Sequence, residues 1–191
     1  MPENVLTPPF NARVVERLSV GPASRRERIV HSLDGLETPV RPQALTAAGD
    51  RLWQRLRAKV PDVEQSADFL LGLDAGGILP TVSLAAASAL PYKIAWKLHL
   101  PLAGEVRFTE PHATRTDVFA YGIAAGQRIV LVDDEITTGH TLTNLALRLR
   151  EAGAEPLGAA CLVEDAARGG RTMLADHGIP LVTLTRIGAA T

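Results

Sequence analysis

The chain has 191 residues, 46% apolar and 21% charged, a balance that suits one globular domain with a sizeable core. Lysine plus arginine (20) nearly cancels aspartate plus glutamate (21), which argues against a nucleic-acid binder working through a broad basic face. A single cysteine, Cys161, excludes an intramolecular disulfide framework and a cysteine-based zinc site.

The opening MPENVLTPPF has neither a basic n-region nor an apolar h-region, so no secretory signal is expected and a cytoplasmic protein is. The first 40 residues show no readable period, and RRER at 25–28 reads as a solvated turn or helix face. PQALTAAGDRLWQRLRAKV (42–60) spaces Leu45, Leu52, Leu56 and Val60 for an amphipathic helix, with Trp53 beside them. DFLLGLD (68–74) is a short apolar run closing on a carboxylate, read as a strand. A helix over 79–90 and a second strand, PYKIAWKL (91–98), follow. The 18 residues from Ala75 to Tyr92 carry no charge, but Gly76, Gly77, Pro80 and Pro91 interrupt them, so a loop and a buried helix are expected, not a membrane span.

Residues 99–117 have no clear period and read as a long loop, a candidate lid. VFAYG (118–122) reads as a short strand. RIVLVDDEITTGHTL (128–142) then runs strand, loop and helix; Leu142, Leu145, Leu149 and Ala152 form the helix stripe, and Gly153 ends it. Strands at 154–165 and 180–187 flank a loop and short helix over 168–178, and Cys161, inside the first of them, reads as a small buried residue. Alternating strands and helices predict an α/β fold with a mainly parallel sheet covered on both faces. Ligands of such folds bind beyond the carboxyl ends of the strands, so loops 74–77 and 133–141 should open on one rim.

Thr137-Thr138-Gly139-His140-Thr141 stands at a helix N-terminus, where free N–H groups and the helix dipole favour an anion. Gly139 lets backbone come close, the threonines add hydroxyls, and His140 acts through its backbone. The loop lacks the G-x-x-x-x-G-K-[ST] of a Walker loop. Asp133 and Asp134, immediately upstream, repel each other unless something compensates, and a vicinal diol or a hydrated magnesium ion would do so. Phosphate seat plus diol acceptors describes a pocket for a ribose 5-phosphate. Glu135, a third acid in the row, reads as exposed. The chain holds 17 arginines but three lysines, and two of these, Lys93 and Lys97, flank one strand. His31, His99 and His177 show no metal-like spacing.

The stretch 128–142 resembles the PRPP-binding signature of the type I phosphoribosyltransferases, and from about residue 36 the chain is most similar to the adenine phosphoribosyltransferase branch. LGLDAGG resembles that family's pyrophosphate loop, PYKIAWK its next strand, VFAYG its E-Y-G segment, and CLVED…RGGR the segment after the signature helix. The resemblance implies the type I fold: a single domain over 1–191, a small N-terminal hood over about 1–40, and a flexible lid over 99–117. It implies transfer of a phosphoribosyl group from PRPP, or a related phosphosugar diphosphate, to a purine-type base, adenine first, with magnesium and a homodimer; no nucleic acid and no membrane are implied as partners. Asp133 and Asp134 would hold the ribose hydroxyls and reach the metal through water. Residues 137–141 would bind the 5-phosphate, and Asp74, Ala75, Gly76, Gly77 and Lys97 the pyrophosphate.

Three positions depart from the pattern. Gly76 stands where the adenine branch has an arginine, so backbone donors, Arg107 or Arg115 must supply that role. Ala120 replaces the glutamate of E-Y-G, leaving Tyr121 beside the base and passing the proton-handling role to Glu110, His112 or Asp117 of the lid. Thr137 stands where the 6-oxopurine enzymes have an aspartate, which argues against hypoxanthine and guanine. The alternatives are a PRPP-binding regulator without catalysis and an enzyme with a variant sugar diphosphate or base; an orotate-type enzyme would need a lysine-rich loop that 98–117 lacks.

Overall fold

The computed structural model describes residues 10–18, 26–110 and 117–188. Its centre is a five-stranded parallel sheet of β3 (Phe69–Leu73), β4 (Tyr92–Ala95), β7 (Arg128–Ile136), β8 (Glu155–Asp165) and β9 (Leu181–Ile187), in the order β4-β3-β7-β8-β9. Two antiparallel pairs stand outside it: β1 (Ala12–Glu16) with β2 (Glu27–His31), and β5 (Val106–Thr109) with β6 (Asp117–Ala120). The helices are α1 (Pro42–Lys59), α2 (Val63–Ser66), α3 (Ile78–Ser88), α4 (His140–Glu151) and α5 (Gly170–Asp176). No helix among the described residues is long and apolar enough to cross a membrane.

The alternation of β7 explains the layering. Successive strand residues face opposite sides, so Ile129 and Leu131 join a core with Leu142, Leu145 and Leu149 of α4, while Val130 and Val132 join one with Leu52 and Leu56 of α1. Both faces are covered, which is why these strands read as unbroken apolar runs. Full burial of each such leucine contributes about 2 kcal/mol. Pro42 opens α1, where a missing N–H costs nothing. Leu142, Leu145 and Leu149 are buried as expected, but Ala152 is exposed, because α4 ends one residue before it.

Two sequence expectations fail. Residues 106–109 are not loop: they are β5, paired in register with β6, and Val106 and Phe108 alternate into the core beside Val118 and Ala120. Four residues are too few for a period to stand out of a polar surrounding. RRER is not a turn or helix face either, since Glu27 and Arg28 begin β2. The β1–β2 ribbon packs Ile29 against the α1 side of the sheet.

The topology fixes where a ligand can sit. From β3 the chain turns to β4 on one side, then crosses back to lay β7 on the other. α3 and α4 therefore leave adjacent strands toward opposite faces, and a crevice opens at the carboxyl ends of β3 and β7.

Candidate functional site

A cavity of about 440 Å³ fills that crevice. It is lined by Asp74, Ala75 and Gly76 after β3, by Lys97 after β4, and by Asp133, Asp134 and residues 137–141 around the end of β7. The two loops do open on one rim. Gly77 is absent from the lining; it is the first-turn flank of α3, packed so that a Cβ would meet Leu73 O at 2.7 Å. The Asp74–Ala75 peptide bond is cis.

β7 continues through the acidic run, pairing with β8 as far as Ile136 opposite Glu164. Asp133 Oδ1 accepts the Asp134 N–H at 2.9 Å. Burial, and then the neighbouring Asp134 charge, pushes the Asp133 carboxyl well above the ordinary carboxylate range. The same burial raises the Cys161 thiol, which pairs beside Asp133 in the register. Glu135 is not the exposed residue expected: its Oε2 accepts the Ile29 N–H at 3.0 Å, tying β2 to the acidic run. Gly139, at φ +79°, turns the chain into α4. It lies against the start of α5, where an added Cβ would be 2.9 Å from Gly170 O. α5 is itself fastened to the sheet by Arg171, whose guanidinium grips the buried Glu164 and donates to Leu181 O at 2.8 Å. A chain of contacts thus backs loop 137–141 from behind.

The residues between 97 and 122 divide. Lys97 Nζ lies 2.7 Å from Glu110 Oε2, and both line the cavity. Asp117 does not: it holds Arg107 in a two-pronged pair at 3.1 and 2.8 Å, and neither side chain lines the cavity. Arg107 therefore does not replace the missing arginine. Tyr121 is also elsewhere, its hydroxyl accepting from Leu100 N–H at 2.6 Å and donating to Leu98 O at 2.7 Å, a staple for that loop. Ala120 is fully buried. His112 and Arg115 lie outside the described residues.

Sequence reasoning missed the ribbon's share of the site. Arg28, His31, Leu33 and Asp34 all line the cavity. Arg28 Nη2 lies 3.9 Å from Asp134 Oδ2. His31 is buried; its Nδ1 accepts the Leu33 N–H at 3.2 Å, so the neutral ring carries its proton on Nε2, which meets no partner among the described residues. Burial lowers the His31 pKa, partly offset by Asp134 and Asp34. Asp34 is occupied in the turn after β2, accepting from His31 and Leu36 N–H, each at 2.8 Å. No spacing signal exposes such residues, because they reach the site through tertiary packing alone.

The donor set bears on magnesium. Among the described residues no three histidine, cysteine or carboxylate groups converge as a cage. Two adjacent carboxylates at a phosphate-sized cavity suit an ion that keeps its waters and is completed by substrate phosphates.

A parallel sheet with a carboxylate pair and a glycine-containing loop around its switch point defines an α/β protein with its cavity at the carboxyl ends of the strands. The chain belongs to the phosphoribosyltransferase family: the family model described as Phosphoribosyl transferase domain matches residues 41–179. It is 34% identical over 130 residues to the adenine phosphoribosyltransferase of Mycobacterium tuberculosis (strain CDC 1551 / Oshkosh), covering 66% of this chain and 60% of that protein. It is 33% identical over 128 residues to the xanthine phosphoribosyltransferase of Chloroflexus aurantiacus, covering 64% and 61%. The chain thus spans less than two thirds of either relative's length. Among solved structures it resembles the adenine phosphoribosyltransferase of Leishmania tarentolae, with a TM-score of 0.67 at 20% identity over 88% of this chain and 82% of that one.

Proposed function

We propose that the protein transfers a 5-phosphoribosyl group from PRPP to a ring nitrogen of a purine-type base, adenine first, releasing pyrophosphate. The observation that carries this is the single cavity shared by the Asp133–Asp134 pair, loop 137–141, loop 74–76 and Lys97. The bond from C1 of the ribose to the pyrophosphate oxygen breaks, a bond from C1 to the base nitrogen forms, and the base gives up its N–H proton. Asp133 and Asp134 accept hydrogen bonds from the ribose hydroxyls, and loop 137–141 holds the 5-phosphate with N–H and hydroxyl donors. Asp74, Ala75, Gly76 and Lys97 hold the pyrophosphate, chiefly through backbone donors and one point charge. Magnesium, held by Asp134 or Asp133 through water, would neutralise the leaving pyrophosphate. Glu110 lines the cavity, ion-paired with Lys97, and is the carboxylate proposed to take the base proton.

A donor with a phosphate and a diphosphate does not cross membranes unaided, so the protein works in the cytoplasm, where the donor is made. We take it to be a homodimer, with residues 1–40 as a hood over the base; the lid expected over 99–117 cannot include β5, which is packed into the core. A second reading, a PRPP-binding regulator, gains from one observation: the position of the missing glutamate, Ala120, is fully buried and handles no proton.

One assay separates them: pyrophosphate release from PRPP and magnesium with adenine, hypoxanthine, guanine and xanthine. Release with adenine is expected, and Asp134→Asn should lower it about a hundredfold while the thermal midpoint holds. PRPP binding without release on the whole panel would favour the regulator, and full activity in Asp134→Asn would remove that residue's role.

A further inference from the structure

The cavity poses a charge problem. Asp34, Asp74, Glu110, Asp133, Asp134 and Glu135 line it, against Arg28 and Lys97 as permanent cations. A ligand carrying a phosphate and a diphosphate is repelled by such a wall unless positive groups meet it. Lys97 is already matched by Glu110 at 2.7 Å. Arg28 is not matched in the same way. Its Nη2 stands 3.9 Å from Asp134 Oδ2, beyond hydrogen-bonding reach, and its side chain is 49% exposed.

Loop 74–77 has no means of supplying its own cation at residue 76. A Cβ on Gly76 would stand too close to Asp134 Oδ2, so a side chain there requires the Asp134 carboxylate to move. Arg28 approaches that same carboxylate from the ribbon. The next residue, Ile29, is buried and donates its N–H to Glu135, which fixes the backbone beneath the arginine. The backbone beneath the guanidinium is fixed, and among the described residues its tip pairs only with Asp134, at 3.9 Å. A planar fork of donors suits the paired oxygens of a phosphate group.

We infer that Arg28 binds the diphosphate of the donor, taking over the charge that Gly76 omits. The inference rests on the phosphoribosyl-transfer reading. Arg28 stands in β2, outside the stretch 41–179 that the family model matches.

Calorimetry on the whole protein tests it with three probes in magnesium: PRPP, inorganic pyrophosphate and ribose 5-phosphate. Arg28→Gln, which keeps the stem, should weaken PRPP and pyrophosphate about tenfold or more, the size of one charge-assisted contact. Ribose 5-phosphate should bind unchanged, and Arg28→Lys should fall between wild type and Arg28→Gln. Equal pyrophosphate affinity in wild type and Arg28→Gln overturns the inference alone. So does an equal loss for ribose 5-phosphate, which would mark a general effect on the cavity. A wild-type protein that binds neither PRPP nor pyrophosphate removes the functional reading, and the inference falls with it.

Discussion

At the scale of single residues, the acidic pair sets stability against function. Asp133 is half-buried, its carboxyl poorly solvated beside the charge of Asp134, and both effects raise its pKa well above the ordinary carboxylate value. The folded state then binds its proton more tightly than the unfolded chain does. Stability is therefore highest where the group is protonated in both states, and it declines as pH rises from the ordinary carboxylate range through the raised folded value. Asp133→Asn keeps an oxygen to accept the Asp134 N–H and never ionises. In urea unfolding without magnesium, the variant should be the more stable protein at pH 8 and match wild type near pH 4, while donor use falls. A wild-type profile that is flat over this range, or an asparagine variant that is no more stable at pH 8, would remove the strain assigned to the pair.

At the scale of elements, the anion-binding loop is only as rigid as the backbone behind it. Gly170 opens α5 with its Cα against the Thr137 carbonyl, so a Cβ there strikes backbone and something must move. Gly170→Ala should cost about 1–3 kcal/mol of stability, the usual range for overpacking. It should also weaken PRPP binding, read by calorimetry beside denaturant unfolding. If stability drops but affinity does not, the loop is not braced by α5. The sequence made the parallel strands and the loop legible, since β7 is apolar on both faces and Gly139 interrupts the run into α4 where φ is +79°. It hid β5, whose four residues are too few for alternation to register, and it hid β2, whose charged Glu27 and Arg28 disguise a strand. Arg28 and His31 were invisible for the same reason: their meaning comes from packing against Asp134, a contact 106 residues away in the case of the neighbouring Ile29–Glu135 bond. Tyr121 failed in the other direction, since a motif position said to face the base is spent on holding a loop.

At the scale of the whole molecule, one edge of the sheet and the segment that follows it predict a second copy. β4 is an edge strand; among the described residues the strand pairing on its far side from β3 is the single Trp96–Phe119 bridge just after it. The segment that continues from it exposes Leu98 by 49%, Leu100 by 41% and Leu102 by 53%, with Trp96 also exposed. Scattered apolar residues on a surface mean little, but alternating leucines beside an open strand edge are what a partner covers. Lys97 sits in the same segment and lines the cavity, and Tyr121 ties that segment to the β5–β6 hairpin. Burying the leucines would therefore steady the pyrophosphate side of the site. Sedimentation should find a dimer, and Leu100→Glu with Leu102→Glu should give a folded monomer, because both side chains are exposed and neither supports the core. The monomer should bind pyrophosphate several-fold more weakly and keep ribose 5-phosphate affinity, since loop 137–141 stands on α4 and α5, away from this edge. A wild-type protein that sediments as a monomer at micromolar concentration, or a doubly substituted chain that remains dimeric, would show that this edge is not the interface.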